Sequence, residues 1–245
     1  MMLNRSFCLL ALLSSLLISP VSAEDPTPGE LVAQSAELKS DSGAKTTLQF
    51  WSYLPKSDKP EDGWPLLVFL HGAGERGDDL ERVKVHGPPK LAGKMKELES
   101  FYMIAPQCPA GRWWDTVALK DLIDQTVAKN PVNPKRIYIT GISMGGFATW
   151  NLLKDHPELM AAAIPICGGG DPAAAEKFKA VPIWTFHGDK DEAVPLSRTA
   201  DVVKALEKLE GNIRFTTYPG VGHDSWTRTY ANPEIYTWLL RHRRE

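Results

Sequence analysis

The stretch Arg136-Ile137-Tyr138-Ile139-Thr140-Gly141-Ile142-Ser143-Met144-Gly145-Gly146 decides the fold. A β-branched apolar run ends at Thr140 and a helical period opens at Met144, so residues 141–145 make the whole turn between a strand and a helix. So sharp a turn forces its serine into a strained backbone conformation. A side chain at either flanking position would strike the neighbouring strand or helix, hence Gly141 and Gly145, with Gly146 adding room. The G-x-S-x-G turn lifts the Ser143 oxygen above the sheet and aims the first N–H groups and the dipole of the following helix at any anion formed there.

Outward from this turn, apolar runs alternate with helical periodicity, which predicts βα units and a largely parallel sheet. Strands are expected at 31–38, 46–54, 66–70, 102–106, 136–140, 161–166, 183–186 and 213–218, the first two as an antiparallel hairpin. Helices are expected at 89–99, 115–129, 144–156, 173–179, 195–209 and 233–241. The runs 66–70, 137–140, 163–166 and 183–186 are apolar almost throughout, as strands covered on both faces are. The fold class is α/β, a three-layer sandwich. Only sixteen residues separate Ile166 from Ile183, too few for a cap domain, so an open, shallow site is expected.

The chain has 245 residues, 43% hydrophobic and 24% charged, with 28 Lys plus Arg against 30 Asp plus Glu and a net charge of -2. Those values exclude a disordered chain, a collagen-like repeat and a disulfide-dense miniprotein, and leave no electrostatic grip for nucleic acid. At the N-terminus, Arg5, the apolar stretch 7–18 and Val21-Ser22-Ala23 read as a secretory signal cleaved after Ala23. The stretch falls short of the roughly 20 residues that span a bilayer, and no later segment is long and apolar enough to do so. The expected organisation is 1–23 signal, 24–30 tether and 31–245 one folded domain, secreted or periplasmic. Cys108 and Cys167 follow strands that are not neighbours in the expected order and read as two buried thiols.

Serine is a weak nucleophile until a base takes its proton. His223, in Gly220-Val221-Gly222-His223-Asp224 directly after the last strand, can swing onto Ser143 from a flexible loop. His71 and His187 each begin a His-Gly turn and read as shaping the backbone there. A carboxylate must fix the tautomer of the base. The segment after the seventh strand offers Asp189, Asp191 and Glu192; Asp191 is chosen because, beyond the turn, it points across to the last loop, whereas Asp189 suits backbone amides within the turn. An oxyanion needs donors: the N–H of Met144 and one from the loop Leu70-His71-Gly72-Ala73-Gly74, from Ala73 or Gly74. No phosphate-loop pattern and no metal-ligand spacing occurs, so no cofactor or metal is expected. Trp113, Trp114 and Trp226 fall in loops near the same edge, where Trp113 and Trp226 are candidates to hold substrate or, equally, to cover helix ends. Glu75 and Arg76 either pair and brace the oxyanion loop or leave Arg76 free for a substrate carboxylate.

From Leu66 onward the chain resembles the α/β-hydrolase superfamily, nearest to secreted single-domain esterases related to carbohydrate esterases, the dienelactone-hydrolase-like group and prolyl oligopeptidase catalytic domains. The residues carrying the likeness are His71-Gly72-Ala73-Gly74-Glu75-Arg76-Gly77, Ala105-Pro106-Gln107-Cys108-Pro109, residues 141–146, His187-Gly188-Asp189-Lys190-Asp191 with Val194-Pro195, and Gly222-His223-Asp224-Ser225-Trp226. The resemblance implies a sheet of about eight strands and hydrolysis through an acyl-enzyme, with Ser143 as nucleophile and Asp191 and His223 completing a triad. Two departures matter. The dienelactone hydrolases use cysteine where Ser143 stands, and no propeller of the oligopeptidase kind is encoded. The expectation is therefore a serine carboxylesterase acting on small esters or acyl and feruloyl esters on polysaccharide. The alternatives are a peptidase for short peptides and a non-catalytic carbohydrate-binding protein on a hydrolase fold.

Overall fold

The computed structural model describes residues 27–245. The signal segment and the start of the tether lie outside the described residues. Eight strands form one sheet: β1 (Leu31–Lys39), β2 (Lys45–Tyr53), β3 (Trp64–Leu70), β4 (Tyr102–Pro106), β5 (Val132–Ile142), β6 (Ala162–Ile166), β7 (Ile183–Gly188) and β8 (Ile213–Tyr218). Their order is β1-β2-β4-β3-β5-β6-β7-β8. Only β2 runs against the rest, pairing antiparallel with β1 and β4, while β3 to β8 pair in parallel. The helices are α1 (Gly87–Leu91), α2 (Thr116–Lys129), α3 (Met144–Asp155), α4 (Ala175–Phe178), α5 (Ser197–Lys208), α6 (Trp226–Tyr230) and α7 (Pro233–Leu240). No helix among the described residues is long and apolar enough to cross a membrane.

The uninterrupted apolar runs divide by alternation. Leu66, Val68 and Leu70 of β3 face a core shared with Leu119 and Leu122 of α2 and Trp150 and Leu153 of α3. Leu67 and Phe69 face the opposite core, with Phe101, Tyr230, Tyr236 and Leu239. Each strand residue therefore buries on one side or the other, and fully burying such a side chain is worth about 1.5–3 kcal/mol.

Three expectations need correction. The helix expected at 89–99 is broken in two: α1 ends at Leu91, Gly93 takes a left-handed φ of 69°, and a 3-10 turn follows over Lys96–Ser100. Glycine at that position ends a helix at no steric cost, so the period does not carry through. The end of the stretch 24–30 is not a free tether: Gly29, at φ 81°, donates its N–H to Leu54 O at 2.7 Å, and Pro28 bridges to Leu54. The five-residue α6 was not expected at all; Asp224 caps its first turn by accepting from Thr227 N at 3.0 Å.

The outer end of β5 is clasped by the far end of the chain. Arg136 Nη2 donates to Leu240 O at 3.0 Å, the buried Tyr138 hydroxyl to His242 O at 2.8 Å, and Arg244 N to Lys135 O at 2.9 Å.

Candidate active site

Ser143 sits between β5 and α3 at φ 52°, ψ -115°, outside the space an ordinary residue occupies and costing on the order of 1–3 kcal/mol. The surrounding glycines show why the strain is kept. A Cβ on Gly141 would lie 2.3 Å from Gly145 O, on Gly145 2.0 Å from Leu70 O, and on Gly146 2.4 Å from Ile166 O. All three obstacles are backbone atoms, so the turn closes only with glycine there. The Ser143 N–H donates to Ile166 O at 3.0 Å, pinning the turn to β6.

His223 lies on the loop after β8, and its Nε2 is 2.9 Å from Ser143 Oγ while its Nδ1 is 2.7 Å from Asp191 Oδ2. Asp191 has a fully buried side chain, and its other oxygen accepts from the N–H groups of Ala193 and Val194, both at 2.9 Å. Two amide donors and an imidazole satisfy a carboxylate that burial cuts off from water. Asp189 accepts from Gly220 N at 2.7 Å, a backbone role as expected, and Glu192 is exposed. The structure thus brings Ser143, His223 and Asp191 into one relay in the order proton donor, shuttle, anchor.

Met144 is the first residue of α3 and Ala73 the first of a short 3-10 turn (Ala73–Glu75), so neither N–H has a partner within its own element. The two segments are neighbours: a Cβ on Gly72 would lie 3.7 Å from Ile142 O, and one on Gly145 2.7 Å from His71 O. His71 is sealed beneath this loop. Its Nδ1 is 2.6 Å from Gly72 O, its Nε2 accepts from Cys108 N at 2.9 Å, and the Trp114 ring lies 4.8 Å away. Burial pushes its pKa down to about 4.

The expected Glu75–Arg76 pair does not form. Glu75 turns back toward His71 and His86, at 4.0 and 3.8 Å. Arg76, extended beyond the turn, donates Nε–H to Ala73 O at 3.0 Å and Nη1–H to Arg112 O at 3.2 Å. It braces the oxyanion loop through carbonyls. Trp113 is 66% exposed, with its ring edge on Phe147 at 6.2 Å, while Trp114 is buried and donates to His71 O at 3.3 Å. The Trp226 ring stands perpendicular to His223 at 5.2 Å. A groove of about 560 Å³ opens beside Trp113, lined also by Ser40, Ser42, Thr46, Arg112 and Trp114.

Cys167, after β6 at φ 41°, has its thiol within 4.8 Å of the ligand atoms of Asp191 and His223. This is the one group of three such side chains close enough to hold a metal ion among the described residues. Asp191 and His223 are committed to each other, and burial pushes the Cys167 thiol up to about 12, away from the thiolate a metal needs. Sequence reasoning reads Cys167 as a buried thiol and His187 as shaping its turn, but gives neither its place against Asp191; in each case only the folded chain supplies the neighbour.

Residues 115–236 match a family model described as phospholipase/carboxylesterase. A bifunctional acetylxylan esterase/xylanase from Neocallimastix patriciarum is 25% identical over 198 residues, 76% of this chain and 27% of that protein. The carboxylesterase SOBER1 of Arabidopsis thaliana is 27% identical over 71% of this chain and 89% of its own length. Among solved structures, a thermostable esterase superposes with a TM-score of 0.77 at 33% identity, over 87% of this chain and 63% of that one. The chain therefore spans about a quarter of the first of these relatives and nearly all of the second.

Proposed function

We propose that this chain, which belongs to the α/β-hydrolase superfamily, is a serine carboxylesterase that cleaves accessible esters through an acyl-enzyme, acting on acyl groups carried by polysaccharide. The observation that carries the reading is the continuous relay from Ser143 Oγ through His223 to Asp191 at 2.9 and 2.7 Å. His223 Nε2 takes the serine proton as Oγ attacks the acyl carbon. The oxyanion then forming is met by the N–H groups of Ala73 and Met144, each such donor being worth about 3 kcal/mol in the transition state. His223 returns the proton to the departing alcohol, and water repeats the sequence to free the acid. Asp191 keeps its charge throughout, holding Nδ1–H and favouring the imidazolium.

Support for the polymer side of the ester comes from the groove beside Trp113, whose exposed ring and hydroxyl-bearing walls suit a sugar, and from the acetylxylan esterase relative. Arg76, with two of its N–H groups given to carbonyls, serves here as a brace of the loop. The segment 1–23, read as a signal, is the basis for proposing an extracellular or periplasmic place of action.

One experiment tests both halves. Hydrolysis of p-nitrophenyl acetate and of acetylated xylo-oligosaccharide is measured for the wild type, Ser143→Ala and Trp113→Ala. Ser143→Ala is expected to lose roughly 10³-fold or more on both substrates with its fold intact. Trp113→Ala is expected to raise KM for the oligosaccharide alone. A Ser143→Ala variant that keeps its activity removes the mechanism; a Trp113→Ala variant with unchanged KM removes the groove as the sugar site.

A further inference from the structure

Two imidazoles converge on one oxygen of Asp191. His223 Nδ1 lies 2.7 Å from Oδ2, and His187 Nε2 lies 3.1 Å from the same atom. His187 is the penultimate residue of β7, with its side chain fully buried, and the proposed mechanism gives it no task. Nε2 faces Asp191 Oδ2 and, at 2.9 Å, Val194 O, both of which can only accept. Nε2 must therefore carry hydrogen. Nδ1 lies 2.8 Å from Thr199 Oγ1, a hydroxyl that gives its own hydrogen to Gly168 O at 2.7 Å.

We infer that His187 is a positioning residue of the relay: its Nε2–H holds the Asp191 carboxylate from within the core, and Thr199 of α5, hydrogen-bonded to Nδ1, fixes the orientation of the ring. This deepens the esterase reading and rests on it. The titratable groups around the pair are Asp191, His223, the Cys167 thiol and Asp224, and burial lowers the His187 pKa. The chemical consequence is a shared charge. A carboxylate oxygen that accepts two N–H donors presents less negative charge to each. With His187 in place, Asp191 fixes the orientation of His223 without holding its proton too tightly to be given up.

The test combines a structural readout with kinetics. In the wild type, histidine ¹⁵N resonances are expected to show His187 protonated at Nε2; a proton found only on Nδ1 overturns the proposal whatever the variants do. His187→Met is expected to lower kcat for p-nitrophenyl acetate roughly tenfold with KM unchanged. It should also move the acid limb of kcat/KM to higher pH, because Asp191 then bears on His223 alone. His187→Gln, whose amide N–H can reach the same oxygen, is expected to restore both. If His187→Met does not fold, Thr199→Val is expected to show the same pH displacement in smaller measure. A folded His187→Met variant with wild-type kcat and an unmoved acid limb makes His187 a packing residue and ends the proposal. Failure of the esterase reading itself is seen separately, as activity that survives Ser143→Ala.

Discussion

At His71 the ring is closed off from water and donates to Gly72 O through Nδ1 while accepting from Cys108 N at Nε2, a set of bonds that only the neutral imidazole can make. Burial lowers its folded pKa to about 4, with Arg76 and Arg82 pressing the same way against the Gly72 bond. In the unfolded chain the reference value is about 6.5. The unfolded state thus binds this proton first, and stability present above pH 6.5 drains away as pH falls toward 4, by an amount on the order of 3 kcal/mol. His187 and His242, also lowered, act in the same direction. The check is the urea midpoint against pH: a His71→Gln variant is expected to be less stable at pH 7 and to show a flatter fall in acid. An equally steep fall would place the acid sensitivity elsewhere. Ser143, Asp191 and His223 were legible in the sequence because local glycines and chain order mark them. The contact of His187 with Asp191 was not, since a His-Gly pair looks the same whether it turns a strand or touches a carboxylate. For Glu75 and Arg76 adjacency leaves both a mutual pair and a free Arg76 open, and the 3-10 turn that ends at Glu75 sends the two side chains to different neighbours.

Among elements, the strands are legible in the sequence, because alternation and flanking turns state a strand's limits in a few residues. Helices are less legible wherever one glycine decides the outcome, as Gly93 does between α1 and the 3-10 turn that follows. β5 also runs further than its apolar segment, from Val132 to Ile142, because Val132 pairs with Trp64 of β3 across a register shift that takes in residues 133–136, and Gly141 and Ile142 pair with β6. The junction of β5 and α3 makes a contrast that can be measured. Gly145→Ala would set a Cβ 2.0 Å from the Leu70 carbonyl, which cannot move without β3, and should cost about 3 kcal/mol or abolish soluble protein. Gly74→Ala, with nothing within 4 Å of its added Cβ, should melt at the wild-type temperature. Equal melting temperatures for the two variants would mean that the elbow can relax, contrary to the packing described.

Over the whole molecule, the sheet separates two cores and also its two described thiols. Cys108 follows β4 and Cys167 follows β6, with β3 and β5 between those strands, and both are free and buried. Burial pushes their pKa values up to about 11 and about 12. Thiolate is the reactive form, so labelling with a maleimide, resolved by peptide mass spectrometry, is expected to find neither site in the native protein and both after denaturation. Rapid native labelling of either would reveal local opening at that strand end. The clasp on β5 carries a consequence in time. Chains emerge N-terminal end first, so the strand that presents Ser143 is made long before Leu240 and His242, whose carbonyls hold Arg136 and Tyr138. A nascent chain stopped before residue 223 would carry a nucleophile with no base and a central strand with one end unfastened. On the proposed mechanism it would therefore be silent toward esters until translation had carried the last loop and α7 clear of the ribosome.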